Sequence, residues 1–227
     1  MNTSPLDFLL SGVCLLLLAA VAGAVSFVLL GPYSAIAFGR YGPLVDVAAF
    51  LLVFGLGCAA LSRLLLRARP LVPGQYSMDD SVFTYWKLLT VLYEFGRGAL
   101  LPCTTVFARP LVAKLFGAEV GGETALGGRI ADPSLVHIAR GAVLGHNSVL
   151  TPHVITSGKI LLQDVRIGAG ATVGVNVVVN AGVDVGENSV VAAGSVIAPF
   201  TRIPPGELWG GVPARRIKAL EASDQRG

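Results

Sequence analysis

Between Ile138 and about Ala214 the chain repeats itself every six residues. Aliphatic residues fall at Ile138, Leu144 and Leu150, and after an interruption at Ile167, Val173, Val179, Val185, Val191, Ile197 and Ile203. Four positions beyond each stands a small or β-branched residue, such as Ala142, Ser148, Ala171, Val177, Ser189 and Ser195, until Glu207 ends the pattern. Three positions beyond each comes Gly or Asn in most slots, with His153 and Phe200 as exceptions. A period of six is too long for a helical turn and fits one short strand plus one tight corner. The first residue and the one four later point into a narrow core, and Gly or Asn turns the corner because only they enter φ > 0 cheaply. The spacing predicts a parallel β-helix of three hexads per coil, each coil covering the next. The alternating strands of a β-sandwich would not keep phase over so many repeats.

The front of the chain cannot belong to that stack. Hydrophobic residues make up 53% of the sequence and charged residues 14%, and the excess lies at the N-terminus. No charged side chain occurs between Asp7 and Arg40, and Phe8 to Leu30 is long enough to cross a bilayer core. A second apolar run from Val47 to Leu66 carries only Arg63. Ala22-Gly23-Ala24 resembles a cleavage site, but no basic residue precedes the first run, against a signal peptide. Residues 1–69 therefore read as a transmembrane helical hairpin. Arg63, Arg67 and Arg69 after the second span, against Arg40 alone in the loop, place both termini in the cytoplasm. The expected location is a bacterial-type inner membrane, multi-pass, with the β-helix on the cytoplasmic face.

A connector follows over residues 70–118. From Ser81 to Phe116 it mixes aromatics with Lys87, Glu94, Arg97, Arg109 and Lys114, as suits an amphipathic helix in the headgroup region. A cytosolic helix packed over the end of the solenoid fits the same residues, and a third crossing would move the β-helix to the other side. The β-helix itself spans 119–215, with hexads counted from Val120, Leu126 and, in degenerate form, Asp132. Residues 216–227 are a tail.

Leu150 and Ile167 are 17 residues apart, one short of three hexads, so Thr156 to Arg166 must leave the coil. His153 stands at the corner just before this excursion. A break in a repetitive wall beside a titratable side chain is where function is expected. His also enters left-handed corners more readily than most residues, which would explain it without chemistry.

Ile-Gly-Ala-Gly-Ala-Thr at 167–172 and Val-Gly-Glu-Asn-Ser-Val at 185–190 resemble the repeat of the hexapeptide-repeat acyltransferases. So do Leu115 to Gly121 as an entry motif, then His153, Ile167-Gly168, Ala193-Gly194-Ser195 and Gly211-Val212-Pro213-Ala214 in that order. The resemblance spans roughly residues 109–218 and does not include the hairpin. It implies a left-handed parallel β-helix, usually a homotrimer with sites between subunits. It also implies acetyl-CoA or another acyl-CoA as co-substrate and no metal. His153 would be the general base, taking a proton from an acceptor hydroxyl or amine; imidazole titrates near neutrality and suits the task. Ala193, Gly194, Ser195, Gly211 and Ala214 would line the CoA groove. Arg215, with Arg216 and Lys218, would meet the nucleotide phosphates, unless these three form only a solvated basic tail. Many members carry a second histidine two residues before the base, where this chain has Thr151, and that puts acceptor positioning in doubt.

Other classes fit less well. Relatives that bind zinc through three histidines exist, but His137, His146 and His153 have the wrong spacing for that set. Cys14, Cys58 and Cys103 form no disulfide framework or metal motif. Asp164 is near enough in sequence to orient His153. A net charge of +3 is too small and dispersed for nucleic acid. The first reading is a membrane-anchored acyltransferase acting on a membrane-associated acceptor such as a lipid-linked saccharide. The alternatives are a non-catalytic trimeric scaffold that organises membrane partners, and an accessory module of a peptide-synthetase-like system.

Overall fold

The computed structural model describes residues 5–221. They fold as two compact units. Residues up to Pro70, together with Ser81–Thr105, form a helical unit; Leu71–Asp80 and the chain from Val106 onward form a β-helical one.

In the helical unit, α1 (Pro5–Gly23) runs through a π-helical stretch, Ala24–Leu30, into α2 (Gly31–Phe38). Gly39 then takes φ +54, a conformation costly for any residue with a Cβ, and α3 (Gly42–Ala68) packs against both earlier helices. The helical run from Pro5 to Ala68 is long and apolar enough to cross a membrane by length and composition. Many of its apolar side chains face outward, among them Phe8, Leu16, Leu17 and Ile36.

The amphipathic segment that begins at Ser81 lies, as far as Thr105, in the helical unit. As α4 (Ser81–Leu100) it packs on α3 and α1. Phe83, Trp86, Leu89, Tyr93, Gly96 and Leu100 recur at three- and four-residue spacing and form one buried stripe. The approach to α3 is close: a Cβ on Gly55 would stand 2.5 Å from Leu100 Cγ and 3.0 Å from the Gly96 carbonyl oxygen. The charge on Lys87 is accommodated by an ion pair with Asp7 of α1 and by the Phe83 ring, 4.5 Å from Nζ.

The β-helical unit has three walls of short parallel strands. The first contains Glu119–Val120, Val136–Ile138, Val165–Ile167, Asp184–Val185 and Arg202–Ile203. The second contains Ala125–Leu126, Val143–Leu144, Thr172–Val173, Val190–Val191 and Glu207–Gly211. The third contains Arg129–Ile130, Val149–Leu150, Val178–Val179 and Val196–Ile197. In the upper coils partners lie eighteen residues apart, as in Val173 with Val191 and Val185 with Ile203. The aliphatic residues that set the repeat are all buried inside, and Ala142, Ala171, Val177 and Val183 fill the space between them. Ser148, Ser189 and Ser195 are tolerated there because their hydroxyls donate to the carbonyls of Gly145, Pro204 and Ala192 at 2.9, 2.7 and 2.6 Å.

Most corners behave as the repeat implies. Asn147, Asn176 and Asn188, and Gly141, Gly170, Gly182 and Gly194, all have positive φ. Phe200 also adopts φ +61, its ring lying over Gly182, where a Cβ would meet it at 2.7 Å.

Three sequence expectations need correction. The degenerate hexad at Asp132 does not exist: Ile130 fills the inward slot, reached from Leu126 through a shortened corner at Gly127 and Gly128. A Cβ on Gly128 would lie 2.2 Å from Ser148 Oγ, so glycine is what lets this coil cut the corner. The excursion starts at His153, before Thr156, because 153–156 already form a strand antiparallel to 159–162. The tail begins after residue 219, since Ala214–Ala219 pairs antiparallel with Glu207–Gly211; residues 222–227 of that tail lie outside the described residues. At the opposite end α5 (Arg109–Leu115) closes the first coil, burying Val112, Ala113 and, just beyond, Phe116.

Candidate active site

The excursion is a two-stranded hairpin turned by Ser157 and Gly158, both at positive φ as a tight two-residue turn requires. Its base is closed where the Gln163 N–H donates to the Pro152 carbonyl at 2.8 Å. A third strand, Gly74–Ser77, arrives from far earlier in the sequence and pairs with Lys159–Leu162. Ile160 and Leu162 are fully buried. The insertion is thus a small three-stranded sheet.

His153 opens this sheet, in register with Leu162. Its φ is not positive, which removes the explanation that it merely tolerates a left-handed corner. The Thr151 hydroxyl donates to the His153 carbonyl at 2.9 Å and fixes the backbone here. The His153 side chain is 26% exposed, and its Nδ1 lies 2.5 Å from Oδ2 of Asp132, which is 3% exposed. Asp132 follows Ile130 one coil away, at φ +45 and ψ +66, and begins the short 3₁₀ turn Pro133–Leu135. Asp is one of the few residues that occupies this region at modest cost. An Nδ1 proton donated to the buried carboxylate leaves the Nε2 lone pair as the basic site and holds the ring orientation.

Asp164 does not orient His153. Its carboxylate takes a 2.8 Å ion pair from Arg166 and lies 3.8 Å from Nε2 of His137, on the outside of the first wall. His137 Nδ1 is 2.7 Å from Glu119. His146 sits on the corner between the second and third walls. The three histidines therefore do not converge, and among the described residues no group of three metal-ligating side chains is found.

The residues assigned to a CoA groove assemble around Ser195. This serine is buried; besides donating to Ala192 it accepts from the Gly211 N–H at 3.1 Å, tying the last hairpin to the coil. Ala193 and Gly194 form the exposed corner between the second and third walls, with Gly194 at φ +71. Gly211 is exposed at φ +101, Ala214 is buried in the core cluster, and Arg215 is exposed beside it with Nη1 3.3 Å from the Ala214 carbonyl. Ser195 and Ala214 can shape a groove but not line it with their side chains. Trp209 packs on the core and donates to Glu207 at 2.8 Å; Arg216 pairs with the same carboxylate at 2.7 Å. The indole N–H first and Arg216 second hold the Glu207 carboxyl below its usual range. His153 lies at a different corner, between the third and first walls, so one chain does not bring it to the Ala193 corner.

Asp132, in contact with His153, is the candidate site residue that sequence reasoning missed. A charged side chain in an aliphatic slot, followed by Pro133, is the signal that the sequence offers.

Comparison with known proteins agrees with this reading of the β-helix. Residues 164–199 match the family of bacterial transferase hexapeptide repeats. A galactoside acetyltransferase solved with coenzyme A superposes with a TM-score of 0.52 at 22% identity, covering 72% of this chain and 93% of that one. A hexapeptide-repeat acetyltransferase from Vibrio cholerae superposes at 0.48 with 19% identity, covering 60% and 93%. A 102-residue segment is 34% identical to gamma carbonic anhydrase 1, mitochondrial, of Arabidopsis thaliana, covering 41% of this chain. The match spans about a third of that relative, 35% of its length. Residues 164–199 of the β-helical unit thus match the bacterial transferase hexapeptide repeat, and the fold is like that of the galactoside acetyltransferase.

Proposed function

We propose that this protein is a membrane-anchored, acyl-CoA-dependent acyltransferase, most simply an acetyltransferase. The observation that carries the proposal is the Asp132–His153 contact on the one coil where the repeat breaks. Acetyl-CoA fits as donor because the galactoside acetyltransferase of like fold is a coenzyme A complex. His153 Nε2 removes the proton from an acceptor hydroxyl or amine as that atom attacks the thioester carbonyl. The tetrahedral intermediate collapses, the C–S bond breaks, and the proton returns from the imidazolium to the departing CoA sulfur. Asp132 holds the imidazole and offsets its transient positive charge.

The site is shared between copies of a left-handed homotrimer in this proposal. Support comes from the separation of His153 and the Ala193–Ser195 corner on different edges of one chain. The helices from Pro5 to Ala68 anchor the enzyme as two spans, and Arg63, Arg67 and Arg69 put the β-helix on the cytoplasmic face. The acceptor is membrane-associated, with a lipid-linked saccharide as the class that location favours.

The test is acyl-CoA binding and thioester turnover by detergent-solubilised protein, wild type beside His153→Ala. Binding by both with turnover lost in the variant supports the enzyme. Absence of binding by either at millimolar CoA refutes it and leaves a non-catalytic β-helical scaffold.

A further inference from the structure

Phe200 is the one aromatic or aliphatic side chain with positive φ among the described residues, at +61. From Gly170 to Gly206 every other left-handed corner is Gly or Asn. Those residues accept the geometry at little cost, whereas a bulky side chain there holds its Cβ too close to the following carbonyl oxygen. Burial does not explain the choice, because the residue is 57% exposed. Strain of this kind, required by neither the turn nor the core, collects at ligand clamps.

The ring is laid toward the coil that carries His153. Beneath it is Gly182, where a Cβ would stand 2.7 Å from Phe200 Cδ1 and 3.1 Å from Cε1, so only glycine leaves the ring that seat. The pairing of Leu150 with Val179, and of Val179 with Ile197, fixes the order of the corner: Gly182 stands one coil above His153 and Phe200 two. Strand spacing makes the separation about 10 Å. Asp132 engages Nδ1 from the coil beneath, which leaves Nε2 for the reacting group. One edge of the solenoid thus carries, in order, a carboxylate, an imidazole, a glycine gap and an exposed ring.

What fits such a column is a narrow chain with a reactive carbonyl at one end and an apolar group farther along. In an acyl thioester of pantetheine, two amide-linked units separate the sulfur from a gem-dimethyl carbon, roughly 11 Å when extended like a peptide. The slim stretch between them asks for open space beside it, and Gly182 supplies that.

We propose that Phe200 is a donor-binding residue, its ring packing against the gem-dimethyl group of the pantetheine arm when the thioester lies at His153. The proposal rests on the acyl-CoA reading above and assigns the path of the donor's arm within it. Ala193 and Gly194 belong to the same coil as Phe200. In a trimer with its axis along the solenoid, that corner of a second copy meets the arm at the level of the ring.

The experiment follows thioester turnover by the full chain in detergent with three donors: acetyl-CoA, S-acetylpantetheine, and S-acetyl-N-acetylcysteamine, which ends short of the gem-dimethyl group. Phe200→Asn keeps a residue suited to the corner and removes the ring. It should raise KM about tenfold for the first two donors and by less than about twofold for the third, with KM rather than kcat carrying the change and the oligomeric mass unaltered. Phe200→Leu, which keeps apolar bulk, should recover much of the lost affinity. Gly182→Asn keeps the ring but fills its seat; it should show the same dependence on arm length, and it carries the test if Phe200→Asn misfolds. Equal loss for all three donors, an altered oligomeric mass, or wild-type KM values in a folded Phe200→Asn each overturns the proposal. The last of these leaves the acyltransferase standing, whereas wild-type protein that binds no acetyl-CoA removes the acyltransferase and this site together.

Discussion

The upper coils of the solenoid and the coil that carries His153 are built from the same repeat, and they differ in how strictly they keep it. From Val165 to Ile203 every slot is filled on schedule and partners sit eighteen residues apart. Below, Leu126 reaches Ile130 by a shortened corner, and between Leu150 and Val165 the chain leaves the wall for a hairpin. The regular coils supply stiffness through burial, and the irregular one spends it on holding a titratable pair from adjacent coils in contact. The candidate site sits where the period fails.

Substitutions on the two sides should therefore separate activity from stability. His153→Ala should lower turnover by roughly 10²–10⁴-fold with little change in melting temperature, read by steady-state kinetics beside calorimetry. Ile167→Ala or Ile197→Ala, in the regular coils, should do the reverse. Each removes a buried side chain at about 2–5 kcal/mol, measured by denaturant unfolding, while activity per folded molecule holds. Asp132→Asn should lower turnover by up to about 10²-fold by loosening the imidazole; a reduced kcat with unchanged acyl-CoA affinity is the expected split. Loss of the fold in Asp132→Asn would instead make the contact structural.

Smaller effects probe the edges of the regular region. Phe200→Asn relieves a bulky left-handed residue but uncovers Gly182, so stability should change by no more than about 1 kcal/mol, against the larger losses inside. The Glu207 carboxyl, depressed by Trp209 and Arg216, favours the native state at neutral pH. A depressed carboxylate contributes fully above its unfolded pKa and loses that contribution as pH falls through the lower folded value. The last hairpin should accordingly loosen in acid, and Glu207→Gln should flatten that dependence in a pH series of tryptophan fluorescence.

Reading the sequence worked where one rule governs many residues. Every aliphatic residue from Ile138 to Ile203 that marks the beat is buried, and the Gly and Asn corners take positive φ because no other residue does so as cheaply. It failed where a local choice depends on a distant partner. Ile130 displaced Asp132 from the inward slot only because Gly127 and Gly128 let the corner shorten against Ser148. The partner of His153 came from the neighbouring coil rather than from Asp164 close by, and spacing along the chain carries no information about which coil neighbour faces a ring. Gly74–Ser77 had no signal at all: four residues after a Pro-rich break pair with a strand more than eighty positions away. The α4 stripe was visible as amphipathic, but its partner, α3 at Gly55, was not.

That short strand changes how the molecule can be dissected. The chain enters the β-helical unit at Leu71, lends Gly74–Ser77 to the hairpin of His153, returns to the helices at Ser81, and enters again at Val106. A chain cut at Val106 to free the solenoid from the helical unit would also discard the outer strand beside Lys159–Leu162. The helical unit and the β-helical unit are interleaved in the order of synthesis, and the sheet of the hairpin is complete only in a chain that keeps residues 71–80. A β-helical derivative must carry that decapeptide across from the discarded half, or the sheet beside His153 lacks its outer strand.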